Sequence, residues 1–165
     1  AAYDEVLAIS AVDAQLEKAV FSNYGPYIDV AAPGQNIPST FLNDQYVFMS
    51  GTSMAAPHVT GLAALIRAFR PELTNEEVMQ LMRETADDLG EAGYDSYFGY
   101  GQINVFKALQ FLEENDSRVL SQLVEDRLSG ASEENWMEQE SISEEDSGHW
   151  LQEWLQRKME QWVNR

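Results

Sequence analysis

The run Ser50-Gly51-Thr52-Ser53-Met54-Ala55-Ala56-Pro57-His58-Val59-Thr60-Gly61 changes periodicity partway along. Residues 46–50, which lead into it, suit a strand that stops at Gly51. Beyond it Ala55, Ala56, Val59, Gly61, Leu62, Ala63, Ala64, Leu65 and Ile66 put small or apolar side chains all around a helical wheel. Such a helix, running from Ser53 to about Arg70, is expected to be buried on most of its faces. Gly51 is expected to let the backbone turn sharply from strand to helix and to leave room for a second peptide beside it. Ser53 then falls at the helix N-terminus, where unpaired amides and the positive end of the macrodipole favour a developing negative charge. A hydroxyl attacking a carbonyl needs such a place, because the tetrahedral intermediate carries an oxyanion. Pro57 lacks an amide hydrogen, so the Ser53 carbonyl loses its i+4 donor, and a kinked first turn is expected to hold the hydroxyl toward solvent. The plainer alternative is that Thr52 or Ser53 is an N-cap hydroxyl.

Working outward, residues 6–12 and 27–31 are short apolar runs bounded by turn residues, and both read as strands. Ser22-Asn23-Tyr24-Gly25-Pro26 and Asn43-Asp44 read as turns. After Pro71, which stops the first helix, Thr74-Asn75-Glu76-Glu77 has the form of a capping box, and Val78, Leu81, Met82 and Ala86 make one apolar stripe behind it. A third helix is expected to start at Asn104, since Val105, Ala108, Leu109 and Leu112 keep helical spacing. Strands followed by a buried helix and two surface helices indicate an α/β fold.

The twelve-residue run resembles the nucleophile segment of the subtilisin-like serine proteases, the subtilases. Three further segments resemble that family in the family's order: Ala19-Val20-Phe21-Ser22-Asn23-Tyr24-Gly25, Ile28-Asp29-Val30-Ala31-Ala32-Pro33-Gly34 and Gly99-Tyr100-Gly101-Gln102-Ile103-Asn104-Val105. The resemblance covers about residues 1 to 112. It implies the C-terminal part of a three-layer sandwich with a parallel sheet, and a serine endopeptidase that hydrolyses peptide bonds through an acyl-enzyme. Ser53 matches the catalytic serine, and Ser50, Gly51 and Thr52 match backbone that borders the substrate and its oxyanion. Met54 matches the residue just after the nucleophile, a thioether open to oxidation.

A serine hydroxyl is a weak nucleophile without a base and a group that orients the base. The chain has 2 histidines. His58 is five residues beyond Ser53, about 140° around a helix and roughly 7.5 Å along it, so it is not the base. The resemblance makes it a packing residue instead. His149, beside Trp150 in the acidic tail, is a poor candidate. Subtilases place Asp, then His, then Ser along the chain, and no histidine precedes Ser53 here. The family's Asp, His and oxyanion Asn segments are therefore expected upstream of Ala1, and this chain is expected to be inactive alone. The resemblance implies no cofactor. It does allow a structural cation such as calcium, held by carbonyls and the carboxylate at Asp29. Carbonyl donors leave no side-chain signature, so Asp29 reads first as a turn or strand-end residue.

The sequence has 165 residues, with 28 Asp and Glu against 10 Lys and Arg and a net charge of −18, which argues against nucleic acid and against an anionic membrane surface. With 44% apolar and 11% aromatic residues it can bury a core, and no apolar run approaches the roughly eighteen residues of a membrane span. The absence of cysteine excludes disulfides, thiolate nucleophiles and sulfur-ligated zinc. Four stretches are expected: residues 1–114, the subtilase portion; 115–128, a short amphipathic helix; 129–147, an acidic Ser/Glu linker; and 148–165, an amphipathic helix. The last carries Trp150, Trp154 and Trp162, three of the chain's 4 tryptophans. An alternative function is a noncatalytic, subtilase-derived interaction protein that uses this last helix. The expected partner is a protein or peptide substrate, and, since subtilases are commonly exported, the expected location is extracellular.

Overall fold

In the computed structural model, residues 3, 5–115, 121–122 and 124–125 are described. The expected linker and tryptophan-rich helix lie outside them, as does most of the stretch 115–128, of which Ser121, Gln122, Val124 and Glu125 are helical.

Four strands precede three helices: β1 (Ile9–Val12), β2 (Val30–Pro33), β3 (Ile37–Phe41), β4 (Gln45–Met49), α1 (Thr52–Phe69), α2 (Asn75–Glu84) and α3 (Val105–Glu114). β1 and β2 pair in parallel, with Ile9 opposite Val30 and Val12 opposite Pro33. Their runs of small and branched apolar side chains suit strands that are covered on both faces. The chain returns at Gln102 to extend this sheet: the Ala31 amide donates to the Gly101 carbonyl at 2.8 Å and the Ile103 amide to the Ala31 carbonyl at 3.0 Å. Alternation along β1 and β2 turns Ala11, Val30 and Ala32 to one face. There they join Ala55, Val59, Leu62 and Ile66 of α1, Val78, Leu81 and Met82 of α2, and Ala108 and Leu112 of α3 in one buried cluster. This is the α/β architecture that the order of elements implies, with the parallel sheet that the family resemblance implies.

The helix ends follow the sequence. The Thr74 hydroxyl accepts from the Glu77 amide while the Glu77 carboxylate accepts from the Thr74 amide, completing the capping box. Asn104 caps α3 by accepting from the Lys107 amide at 2.9 Å. Among the described residues, no helix is long and apolar enough to cross a membrane.

Three expectations need correction. First, α1 is not buried on most faces: it buries only Ala55, Val59, Leu62 and Ile66, while Ser53, Pro57, His58, Thr60, Gly61, Ala64, Arg67 and Ala68 are exposed. Among the described residues, packing reaches one side of this helix, and a Cβ on Gly61 would meet nothing within 4 Å. Second, the first two strands are shorter or later than their apolar runs. The Val6 amide bonds back to the Tyr3 carbonyl and the Ile28 amide to the Gly25 carbonyl, so turns occupy both approaches. Third, β3 was not expected. It pairs antiparallel with β4 through a turn in which Asn43 (φ 60°) and Asp44 (φ 54°) take the left-handed conformation their short polar side chains tolerate. Pro38 breaks its pattern, and most of the hairpin is exposed, so no alternation of burial marks it.

Candidate active site

Ser53 is the second residue of α1, at the point where β4 runs into the helix, and it is exposed. The N-cap is Gly51, with no side-chain cap bond, so neither Thr52 nor Ser53 uses its hydroxyl as an N-cap. The amides of Met54 and Ala55 close the first turn on the Gly51 carbonyl at 2.9 and 3.4 Å. Those of Thr52 and Ser53 find no acceptor among the described residues. A free hydroxyl and two free N–H donors thus share the positive end of an eighteen-residue helix. Pro57 lies inside α1, which is helical throughout Thr52–Phe69.

The turn is held by a neighbouring glycine. Gly34, just after β2, donates to the Val12 carbonyl at 2.9 Å and accepts from the Gly51 amide at 2.8 Å. A Cβ there would stand 2.6 Å from the Ala11 Cβ and 2.9 Å from the Gly51 carbonyl oxygen, so only glycine allows the approach. Gly51 itself has φ 160° and ψ 159°, an extended backbone that any residue adopts, and a Cβ on it would meet nothing nearer than the Met54 sulfur at 3.6 Å. The expectation that Gly51 makes the turn possible is therefore corrected. Among the described residues, the steric demand falls on Gly34, the last residue of the second segment that resembles the family. The Ser50 hydroxyl accepts from the Asn36 amide at 2.9 Å and pins the same corner. Thr52 is half-buried.

His58 is exposed, and its Nδ1 lies 2.9 Å from the Met54 carbonyl of its own helix. It is not a packing residue among the described residues, because α1 turns that face outward. No other histidine is among them, and His149 lies outside them. The described residues therefore hold an exposed serine hydroxyl beside two unpaired backbone N–H groups, and His58 is the one histidine among them.

Asp29 lies away from Ser53 in the sheet's N-terminal approach. Its Oδ2 accepts from the Ala8 amide at 2.7 Å, and its Oδ1 from Arg83 Nε at 3.0 Å and Nη2 at 2.8 Å. Sequence reasoning missed Arg83, which sits 54 residues away. Gly99 (φ 65°) and Gly101 (φ 111°) explain their own motif: a Cβ would come within 2.3 Å of the Asp29 carbonyl oxygen and 2.0 Å of that of Asp87, respectively. At α2, burial works to raise the Glu77 carboxyl. Hydrogen bonds from Ser121 and from the amide and hydroxyl of Thr74 outweigh it and leave the group below its ordinary 4.5. Among the described residues, no three His, Cys, Asp or Glu side chains gather as metal ligands.

The model of the subtilase family matches residues 1–101. A thermophilic serine proteinase of Bacillus sp. (strain AK1) is 46% identical over 111 residues, covering 67% of this chain and 27% of that protein. The minor extracellular protease Epr of Bacillus subtilis (strain 168) is 45% identical over 103 residues, covering 62% of this chain and 16% of that protein. Among solved structures, that of MycP1, a serine protease and an essential component of the type VII (ESX-1) secretion system, aligns with a TM-score of 0.60 at 35% identity. It covers 63% of this chain and 31% of that one. This chain thus spans less than a third of the length of each.

Proposed function

Because the chain belongs to the subtilase family, we propose that Ser53 is the nucleophile of a serine endopeptidase acting on proteins or peptides. What carries this reading is the exposed, uncapped Ser53 hydroxyl at the N-terminus of α1, inside the segment that the family model matches. In the proposed reaction the Ser53 Oγ attacks the peptide carbonyl carbon and its proton passes to a base. The carbonyl oxygen becomes an oxyanion facing the Ser53 amide and the positive helix end, where fixed donors stabilise it without rearrangement. Collapse expels the amine, which takes the proton, and water then hydrolyses the ester. Ser50, Gly51 and Thr52 form the wall along which the substrate lies.

The base, the carboxylate that orients it and a further oxyanion donor belong, in this reading, to subtilase segments that precede the nucleophile in chain order. Residues 1–165 alone are accordingly expected to turn over no casein. The likeness to the minor extracellular protease Epr supports an exported protein. The test is labelling of the longest natural form with a fluorophosphonate, followed by peptide mapping. The probe is expected on Ser53 and nowhere in Ser53→Ala, and an unlabelled Ser53 in a folded, full-length protein refutes the proposal.

A further inference from the structure

Asp29 joins four parts of the molecule. Its side chain takes the Ala8 amide ahead of β1, and its own amide donates to the Ala8 carbonyl at 2.8 Å. Its carbonyl accepts from the Tyr100 amide at 2.8 Å, with Gly99 pressed against it. Its remaining carboxylate oxygen meets Arg83 of α2, whose side chain is only 3% exposed. A second carboxylate oxygen, Glu76 Oε1, stands 3.3 Å from Nη1 of the same guanidinium. A buried guanidinium requires such partners, and a buried carboxylate requires a positive one.

The family resemblance allows a structural cation at Asp29. Calcium would need six or more oxygen ligands, on the order of 2.4 Å away. The position facing Asp29 Oδ1 is instead filled by a group that is itself positive, so the residues present do not fit a cation there. We propose that the Arg83 guanidinium takes the place of that cation, neutralising Asp29 and locking the start of the parallel sheet to α2. Removing Arg83 would leave the carboxylates of Asp29 and Glu76 without their shared countercharge, and a divalent cation, completing its coordination with water, would then be drawn to them. This inference is independent of the role of Ser53.

The experiment is thermal unfolding of the full-length protein, in a Ser53→Ala background that prevents self-digestion, compared in EDTA and in millimolar calcium chloride. Asp29→Asn is expected to show the same calcium-induced rise in Tm as its parent, since calcium does not reach Asp29. Arg83→Met is expected to melt lower than the parent in EDTA and to rise more in calcium, and adding Asp29→Asn removes that extra rise. The proposal is overturned if Asp29→Asn abolishes a rise present in the parent, or if Arg83→Met responds to calcium no more than the parent does. Should Arg83→Met fold only in calcium, the proposal is supported. Should it fold in neither buffer, equilibrium dialysis with radioactive calcium decides: a site present in the parent and lost in Asp29→Asn overturns it, and equal binding upholds it.

Discussion

Replacing Gly34 by alanine tests whether the corner between β2 and α1 is what places Ser53. The new methyl would stand 2.6 Å from the Ala11 Cβ and 2.9 Å from the Gly51 carbonyl oxygen. Carbon atoms in contact settle at about 3.5 to 4.0 Å, so one partner must retreat by roughly 1 Å. Ala11 is fully buried on β1 and has no rotamer by which to yield. The movable partner is the Gly51 segment, which hangs on Gly34 by the 2.8 Å bond from the Gly51 amide and carries Ser53 two residues later. Overpacking of this kind costs about 1 to 3 kcal/mol, and a displacement of about 1 Å at reacting atoms costs on the order of a hundredfold in rate. Urea unfolding and the rate of fluorophosphonate labelling of the full-length protein measure the two quantities. Gly51→Ala is the control: its methyl would meet nothing nearer than 3.6 Å, and its backbone is extended. It is expected to lose less than about 1 kcal/mol, the ordinary range for a residue without steric conflict. If Gly51→Ala destabilises as much as Gly34→Ala, or if Gly34→Ala labels at the parental rate, the reasoning fails.

Ser53→Ala is expected to abolish labelling while leaving the urea midpoint nearly unchanged, because that hydroxyl caps nothing. Thr74→Ala, which removes a working N-cap of α2, is expected to cost about 1 kcal/mol in the same assay. Glu77 is held below its ordinary 4.5, so the stability it contributes is complete above that pH and is lost as pH falls through the lower folded value. Urea midpoints taken down the acid limb should therefore fall less steeply in Glu77→Gln, and Ser121→Ala should move the Glu77 titration, followed by NMR, upward. Ser10→Ala is expected to raise stability by about 1 kcal/mol, since the Ser10 hydroxyl is fully buried and has no partner among the described residues. An unchanged or lowered urea midpoint would show that the hydroxyl is satisfied.

What the amino-acid order determined by itself was local or carried by an extended motif. Thr74 and Glu77 are three residues apart, as are Asn104 and Lys107, so the caps of α2 and α3 are legible as spacing. The run around Ser53, with the residues that lead into it, announces a strand, a turn and a helix within a short stretch, and with them the place of Ser53 at the helix N-terminus. Tertiary structure alone decided which glycine the corner depends on. That choice lies in the distance between Gly34 and Ala11, twenty-three positions apart, and not in either neighbourhood. It also decided that α1 shows one buried stripe, because alanine and glycine suit a crowded face and an open one equally well and only neighbours distinguish them. And it brought Arg83 to Asp29, since an ion pair across 54 residues follows from where α2 docks, which no periodicity in either segment encodes.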